Sequence, residues 1–324
     1  MPSLIQKVTI NNEDLDLINI PWASFHESNV LDCPQVVLYL ADRNSLIDLL
    51  GLGYKSTISI HFSDLISNDF EEDIEFKVQS ITPTGNSNVR QINCIESNVF
   101  DSIQKQKQVR YFNKKPLNFI FRQLFPNVVH FDIDPFPILG DFHIPSGNQI
   151  NKEIQDQLCR QYASMCWISR NKLYFKSIKG LFNQDSITTY TNNTSSTEAY
   201  QVEKMFPVNN ENKERQILRE YHGYHPENGF IQGGKIGQPQ KTTDFGNKII
   251  LNNLAIGSKQ IMDISVPGNG LIEPCKMIDF EWISNNAEMP INESLPSKAL
   301  VTRQNHSIEG GRHKMRLGMS SIIQ

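Results

Sequence analysis

The chain has little of what catalytic and exported proteins usually carry. Its five cysteines, Cys33, Cys94, Cys159, Cys166 and Cys275, are odd in number, scattered, and form no Cys-x-x-Cys pair. Zinc ribbons, dithiol redox motifs and a disulfide framework are therefore not expected; buried, reduced thiols in a protein folded in a cytosol are. No run approaches the roughly 18 apolar residues of a membrane helix, and 1–10 holds no apolar signal core. An excess of one charge is missing too: 31 Lys and Arg against 35 Asp and Glu leave a net charge of −4. So balanced a chain has no global basic field with which to hold nucleic acid.

Motifs of catalysis are equally scarce. No Gly-x-Ser-x-Gly elbow is present, and the glycine-rich stretch 229–237 does not complete the Gly-x-x-x-x-Gly-Lys-Ser/Thr pattern of a phosphate loop, Ile236 following Lys235, and does not join an apolar strand to a helix. A loop is expected there. His222 and His225 are the only local histidine pair, with His143 and Glu220 as conceivable further ligands; a segment flanked by Gly and Pro is poor support for a metal, so contact histidines are expected. Glu71, Glu72 and Asp73 stand at a strand entrance, and Asp132 and Asp134 in a proline-rich turn, which suits charged rims better than a glycosidase pair. The Asn-x-Ser/Thr sequences at Asn192, Asn193, Asn292 and Asn305 carry no meaning without export. No catalytic, cofactor-binding or metal residue is assigned.

What is present is alternation. Period-2 patterns predict strands at 4–10, 15–20, 35–40, 57–62, 74–81 and 88–97, with one short helix at 43–50 between Asp42 as N-cap and Gly51 as C-cap. Composition shifts at 101–110. Beyond it come a helix at 115–125 with Leu117, Ile120, Phe121 and Leu124 on one face, a strand at 128–133, a proline-rich loop or edge at 135–145, a helix at 151–164, and a hairpin about Arg170-Asn171-Lys172. The polar run 183–196 reads as a linker, 212–221 as a charged helix, 229–237 as an extended excursion, and 249–254 as the point where strands resume. A β-meander follows, with strands at 261–266 and 276–283 around Pro267-Gly268-Asn269-Gly270, then 299–307 and 312–319 across Gly310-Gly311. On the last strand Arg312, Lys314 and Arg316 share one face while His313, Met315 and Leu317 share the other; with Arg303 this makes a cationic face, either solvated or turned to a polyanion or acidic partner. Trp282, on a strand, is expected in the core rather than in a carbohydrate site, and Tyr224 would be the exposed aromatic of such a site.

At 324 residues and 37.1 kDa the chain exceeds one hydrophobic core. The fold class expected is mainly β with an α+β insert: a strand-rich domain at 1–100, a mixed domain at 101–184, and a second strand-rich domain at 185–324 carrying the excursion 200–248.

This order of parts resembles the baseplate hub proteins of contractile-tailed bacteriophages and the opening part of type VI secretion spike proteins. The resemblance is carried by Trp22 to Phe25, Pro34 to Leu40, the helix after Asp42, Leu158, Tyr162 and Trp167, the hairpin residues Asn171-Lys172-Leu173-Tyr174-Phe175, and the glycine turn Gly310-Gly311 ahead of His313 to Leu317. It implies two tail-tube-like β-barrel domains flanking the mixed one, and a non-enzymatic homotrimer whose six near-equivalent domains form a ring. The implied partners are a central spike protein, a tail tube or tube-initiator protein, baseplate wedge proteins, a tape-measure protein and, in transit, DNA. The implied place is the virion tail baseplate, assembled in the host cytoplasm, with no cofactor and no membrane insertion. Because the sequence stops soon after Leu317, the spike is expected to be a separate polypeptide. Readings from other classes are a distal tail or hub protein of a non-contractile tail, a tail-associated cell-wall hydrolase using His222 and His225, and a carbohydrate-binding module.

Overall fold

A computed structural model describes residues 4–63, 71–85, 88–193, 200–283, 295–309 and 312–324. The chain is mainly β, and its largest feature is one 14-stranded sheet. The first part of that sheet is antiparallel throughout, in the order Glu13–Leu15, Ile5–Ile10, Thr57–Ser63, Glu71–Pro83, Val89–Glu96, Gln35–Ala41, Trp22–Ser28. Alternation does what the sequence promised. Ile58, Ile60 and Phe62 on one strand and Ile74, Phe76 and Val78 on the next point inward and are buried. The helix Leu46–Leu49 packs its flanking Leu46, Ile47 and Leu50 against this core, with the Ile47 N–H donating to Asp42 at 3.0 Å and Gly51 closing the turn at φ +60. The strand expected at 15–20 is not one: pairing ends at Leu15, and Asp16 instead caps a 3-10 turn at Leu17–Asn19 by accepting from Ile18 N at 3.0 Å.

The other part of the sheet runs Tyr200–Gln201, Ser186–Thr191, Met277–Glu281, Lys298–Glu309, Arg312–Ile323, Gly257–Pro267, Lys204–Pro207. Ser186–Thr191 lies parallel to Met277–Glu281, so this part of the run read as a linker is a strand; residues 194–196 of that run lie outside the described residues. The Gly310-Gly311 turn, most of the polar connection at 284–298 and Asn292 lie outside the described residues. Trp282 is buried beside Phe280, and its indole N–H donates to Pro296 O at 2.8 Å. The two parts are one sheet because Lys298–Glu309 serves both, pairing with Met277–Glu281 near its start and with Trp22–Ser28 from Arg303 to Glu309. Among the described residues no barrel closes on itself.

The middle segment covers this junction. Helix Leu117–Leu124 buries the four residues predicted for its face, and a helix at Ile150–Glu153 continues as a π-helical turn Ile154–Cys159. That helical stretch stops short of the expected 164, since Ser164 already belongs to the hairpin Ser164–Ser169/Lys172–Ser177. Arg170 and Asn171 turn it with positive φ at both positions, +50 and +58, the geometry that matches strand twist. A helix at Ser97–Ser102, capped by Glu96, had no expectation attached to it. Within the proline-rich loop, Phe142–Ile144 pairs with Arg110–Phe112.

The excursion is a small sheet, Gly229–Gly234, Glu220–His225 and Gln240–Thr242, roofed by helix Lys248–Asn253. Three expectations fail here. The charged helix is Glu211–Ile217 and gives way to a strand; the glycine-rich stretch is a strand, not a loop; and 249–254 is helical. Glycine explains the packing: a Cβ on Gly223 would stand 1.9 Å from Phe245 O, and one on Gly233 2.8 Å from Leu251 Cβ.

Candidate functional site: the seam between the two parts of the sheet

Strand Trp22–Ser28 faces Lys298–Glu309 across the seam, and the two sides of the pair differ in chemistry. Inward come Ala23, Phe25 and Glu27 opposite Ile308, His306 and Gln304. Glu27 is 1% exposed, yet it is partnered: Ser169 Oγ donates to Oε1 at 2.5 Å, and Gln304 Nε2 donates to Oε2. Burial pushes this carboxyl up, and the nearby Arg170 guanidinium and the two donors pull it back. Arg170 in turn donates to Gly270 O and Ile272 O and pairs with Glu273 at 3.1 Å, while Asn171 Nδ2 donates to Asp73 O at 2.8 Å. The hairpin tip thus ties the first part of the sheet to the last. Beside it His306 Nδ1 lies 2.9 Å from His313 Nε2, with Phe25 against the His306 ring.

The outward side is polar across the seam, with Ser24 buried and His26, Asn305 and Ser307 half-buried there. Ser24 faces Ser307 and His26 faces Asn305; beyond them Ser307 faces Lys314 and Asn305 faces Arg316. In the other direction the face runs through Val37 and Asn93 to Ser80. Hydrogen bonds knit it: Tyr39 OH donates to Gln91 at 3.0 Å, Gln91 to Asn93 at 2.8 Å, and Asn93 to Ser80 at 2.9 Å. The predicted cationic face is here, with Arg312, Lys314 and Arg316 exposed, but much of its charge is answered. Arg303, Gly318 and Asp263 lie in register on three adjacent strands, and glycine in the middle lets the Arg303 side chain pass over it. Arg303 and Arg316 reach Asp263, whose side chain is 4% exposed, at 2.9 and 2.8 Å, and Lys314 reaches Glu203 at 3.3 Å. A cavity of about 580 Å³ opens against this patch, bounded by Asn29, Lys213, Gln260, Arg303 and Arg316.

The structure scatters the other candidates. His222 binds Glu220 at 2.8 Å; His225 projects to the other face of its strand and accepts from the N–H groups of Glu227 and Asn228; His143 lies on a different sheet. No group of three or more His, Cys, Asp or Glu side chains that could hold a metal occurs among the described residues. Asp132 and Asp134 hold Lys176 at 2.5 and 3.1 Å, and Asp73 holds His61 at 3.0 Å. The five cysteines are buried, and burial raises their thiols, Cys159 to about 12. Tyr224 is exposed and meets Phe230 edge to face. Among the described residues no helix is long and apolar enough to cross a membrane. Glu27, Ser169, Asp263 and Gln304 were missed from the sequence. Glu27 had a signal, being a carboxylate at the inward phase of a strand; Asp263 had none, because its partners lie on other strands.

This architecture has known counterparts. A tail protein from Neisseria meningitidis superposes with a TM-score of 0.68 at 8% identity, covering 97% of this chain and 95% of the other. The 43 kDa tail protein of prophage MuSo2 from Shewanella oneidensis gives 0.61 at 10% identity, covering 97% and 96%. An Escherichia coli type VI secretion component, described as structurally similar to the T4 bacteriophage tail proteins gp27 and gp5, gives 0.54 at 8% identity, covering 97% and 76%. The likeness is one of fold. No protein-family model matches the sequence, and no curated protein matches it.

Proposed function

We propose that the chain is the structural hub of a contractile phage-type tail. Three copies form a ring, with two strand-rich domains per chain, 1–100 and 185–324, supplying six near-equivalent positions around it. Each domain contributes a tube-like barrel wall, and the mixed domain 101–184 braces the pair. The ring joins the tail tube or its initiator above to a spike protein below, meets wedge proteins at its rim, and passes the tape-measure protein and DNA without chemistry of its own. The observation that carries this reading is the superposition on tail proteins over nearly the full length of both chains. The polar face across Ser80, Asn93 and Ser307 suits the channel wall: it is hydrogen-bonded to itself, and Asp263 answers part of the charge of Arg303 and Arg316, which weakens the grip on a passing phosphate backbone. Light scattering and cryo-EM class averages of the chain with its spike partner test the assembly. Rings of three support it; a strict monomer both alone and with the spike overturns it.

A further inference from the structure

The inward side of the seam holds two imidazoles whose contact depends on how many protons they carry. The rings of His306 and His313 stack at 5.1 Å between centroids, and their facing nitrogens are 2.9 Å apart. One ring must donate an N–H and the other must accept it, so the bond fails when both rings are fully protonated. A single added proton is already costly. His306 is 2% exposed and packs on the Phe25 ring, so a charge there has lost its water. The groups around it offer no relief: His26 from strand Trp22–Ser28, Arg170 from the hairpin tip and His313 itself all oppose a positive charge. Glu27 faces the same strand pair, but it is committed to Ser169 and Gln304, and Glu273 is committed to Arg170. Nor can His313 swing aside, since the backbone at Gly268 lies so close that a Cβ there would stand 2.2 Å from the ring, and Gly268 N donates to His313 O at 3.1 Å.

We propose that this imidazole pair makes the seam an acid-labile joint: protonation loosens the pairing of Lys298–Glu309 with Trp22–Ser28, and so uncouples the two parts of the sheet, while their apolar cores stay closed. The inference stands on the seam geometry and does not require the ring. The sign is fixed by burial and the neighbouring cations, which hold His306 well below the usual imidazole range. Its contribution to stability is complete above that range and is lost as the pH falls. Glu27, whose carboxyl is raised, acts in the opposite direction and cannot produce loosening in acid.

Hydrogen exchange of the full chain, read by mass spectrometry from about pH 7.5 to about pH 5 and corrected for intrinsic rates, tests the joint. Peptides covering Trp22–Ser28 and Lys298–Glu309 are expected to lose protection on the order of tenfold more than peptides covering Thr57–Ser63 and Glu71–Pro83. His306→Gln should flatten that difference. Because His306 is deeply buried, His313→Gln, at a half-buried ring, serves as a second variant and should flatten it as well. Parallel loss of protection in seam and core peptides, or an unchanged pH response in both variants, overturns the proposal.

Discussion

The interior of the first part of the sheet and the interior of the seam sit side by side and are held by different forces. The first is apolar without exception around Phe62, Phe76, Ile58, Ile60 and Val78, with aromatic contacts such as Phe25 to Phe62 at 4.6 Å. Burial of this kind is strong and non-directional, so it keeps strands together without dictating which neighbour each must have. The seam instead joins Glu27 to Ser169, 142 residues away, and to Gln304, 277 away, through directed hydrogen bonds. A one-residue slip would leave a buried carboxylate unpaired. Apolar packing supplies stability; the polar cluster specifies which distant segments meet.

That contrast can be broken by mutation. The largest effect is expected from Phe76→Ala, at about 3–5 kcal/mol by chemical denaturation and with little dependence on pH. Glu27→Ala should cost about 2 kcal/mol by leaving Ser169 and Gln304 without their acceptor, while Glu27→Gln, which keeps an acceptor oxygen, should cost clearly less. Equal losses would mean that the seam is held by volume and not by hydrogen bonding. Asp263→Ala should cost only about 1 kcal/mol, because Arg303 and Arg316 are more than half exposed and can return to water. Its informative readout is charge: the freed arginines should give the outward face salt-sensitive affinity for duplex DNA that the parent lacks. Smallest is the effect at Glu96, whose buried cap carboxyl is pushed up to about 7 by burial despite the Val99 and Asn98 donors. A carboxyl raised in the folded state contributes fully below its ordinary range, and its contribution is lost as the pH rises through about 7. The denaturation midpoint of the parent should therefore drop across that window relative to Glu96→Gln.

The same contrast explains what could be read from the sequence. Where burial is apolar and periodic it was legible: Ile58, Ile60 and Phe62 announced their strand, Leu117, Ile120, Phe121 and Leu124 their helix, and Arg312, Lys314 and Arg316 their shared face. Where a neighbour decides, it was not. Ile249, Ile250 and Leu251 form an apolar run with two β-branched residues that reads as strand, yet the glycines of the small sheet offer a flat surface against which a helix can lie. Ser186–Thr191 is polar enough to pass for a linker because its partner, Met277–Glu281, lies some ninety residues on, as the 93-residue span of the Ser186 to Asp279 hydrogen bond shows. The seam was half legible: His313 stood out in the basic hairpin that also carries His306, but the packing of Phe25 on His306 required the register of a third strand.

Lys298–Glu309 carries a consequence for the order in which this molecule can be made. On the ribosome, Trp22–Ser28 emerges early and finds Gln35–Ala41 almost at once, but its other edge waits until residues near 300 have been synthesised. For most of translation the first part of the sheet therefore has an open flank, which a second nascent chain or a chaperone could occupy. Synthesis of Lys298–Glu309 and sealing of that flank are the same event.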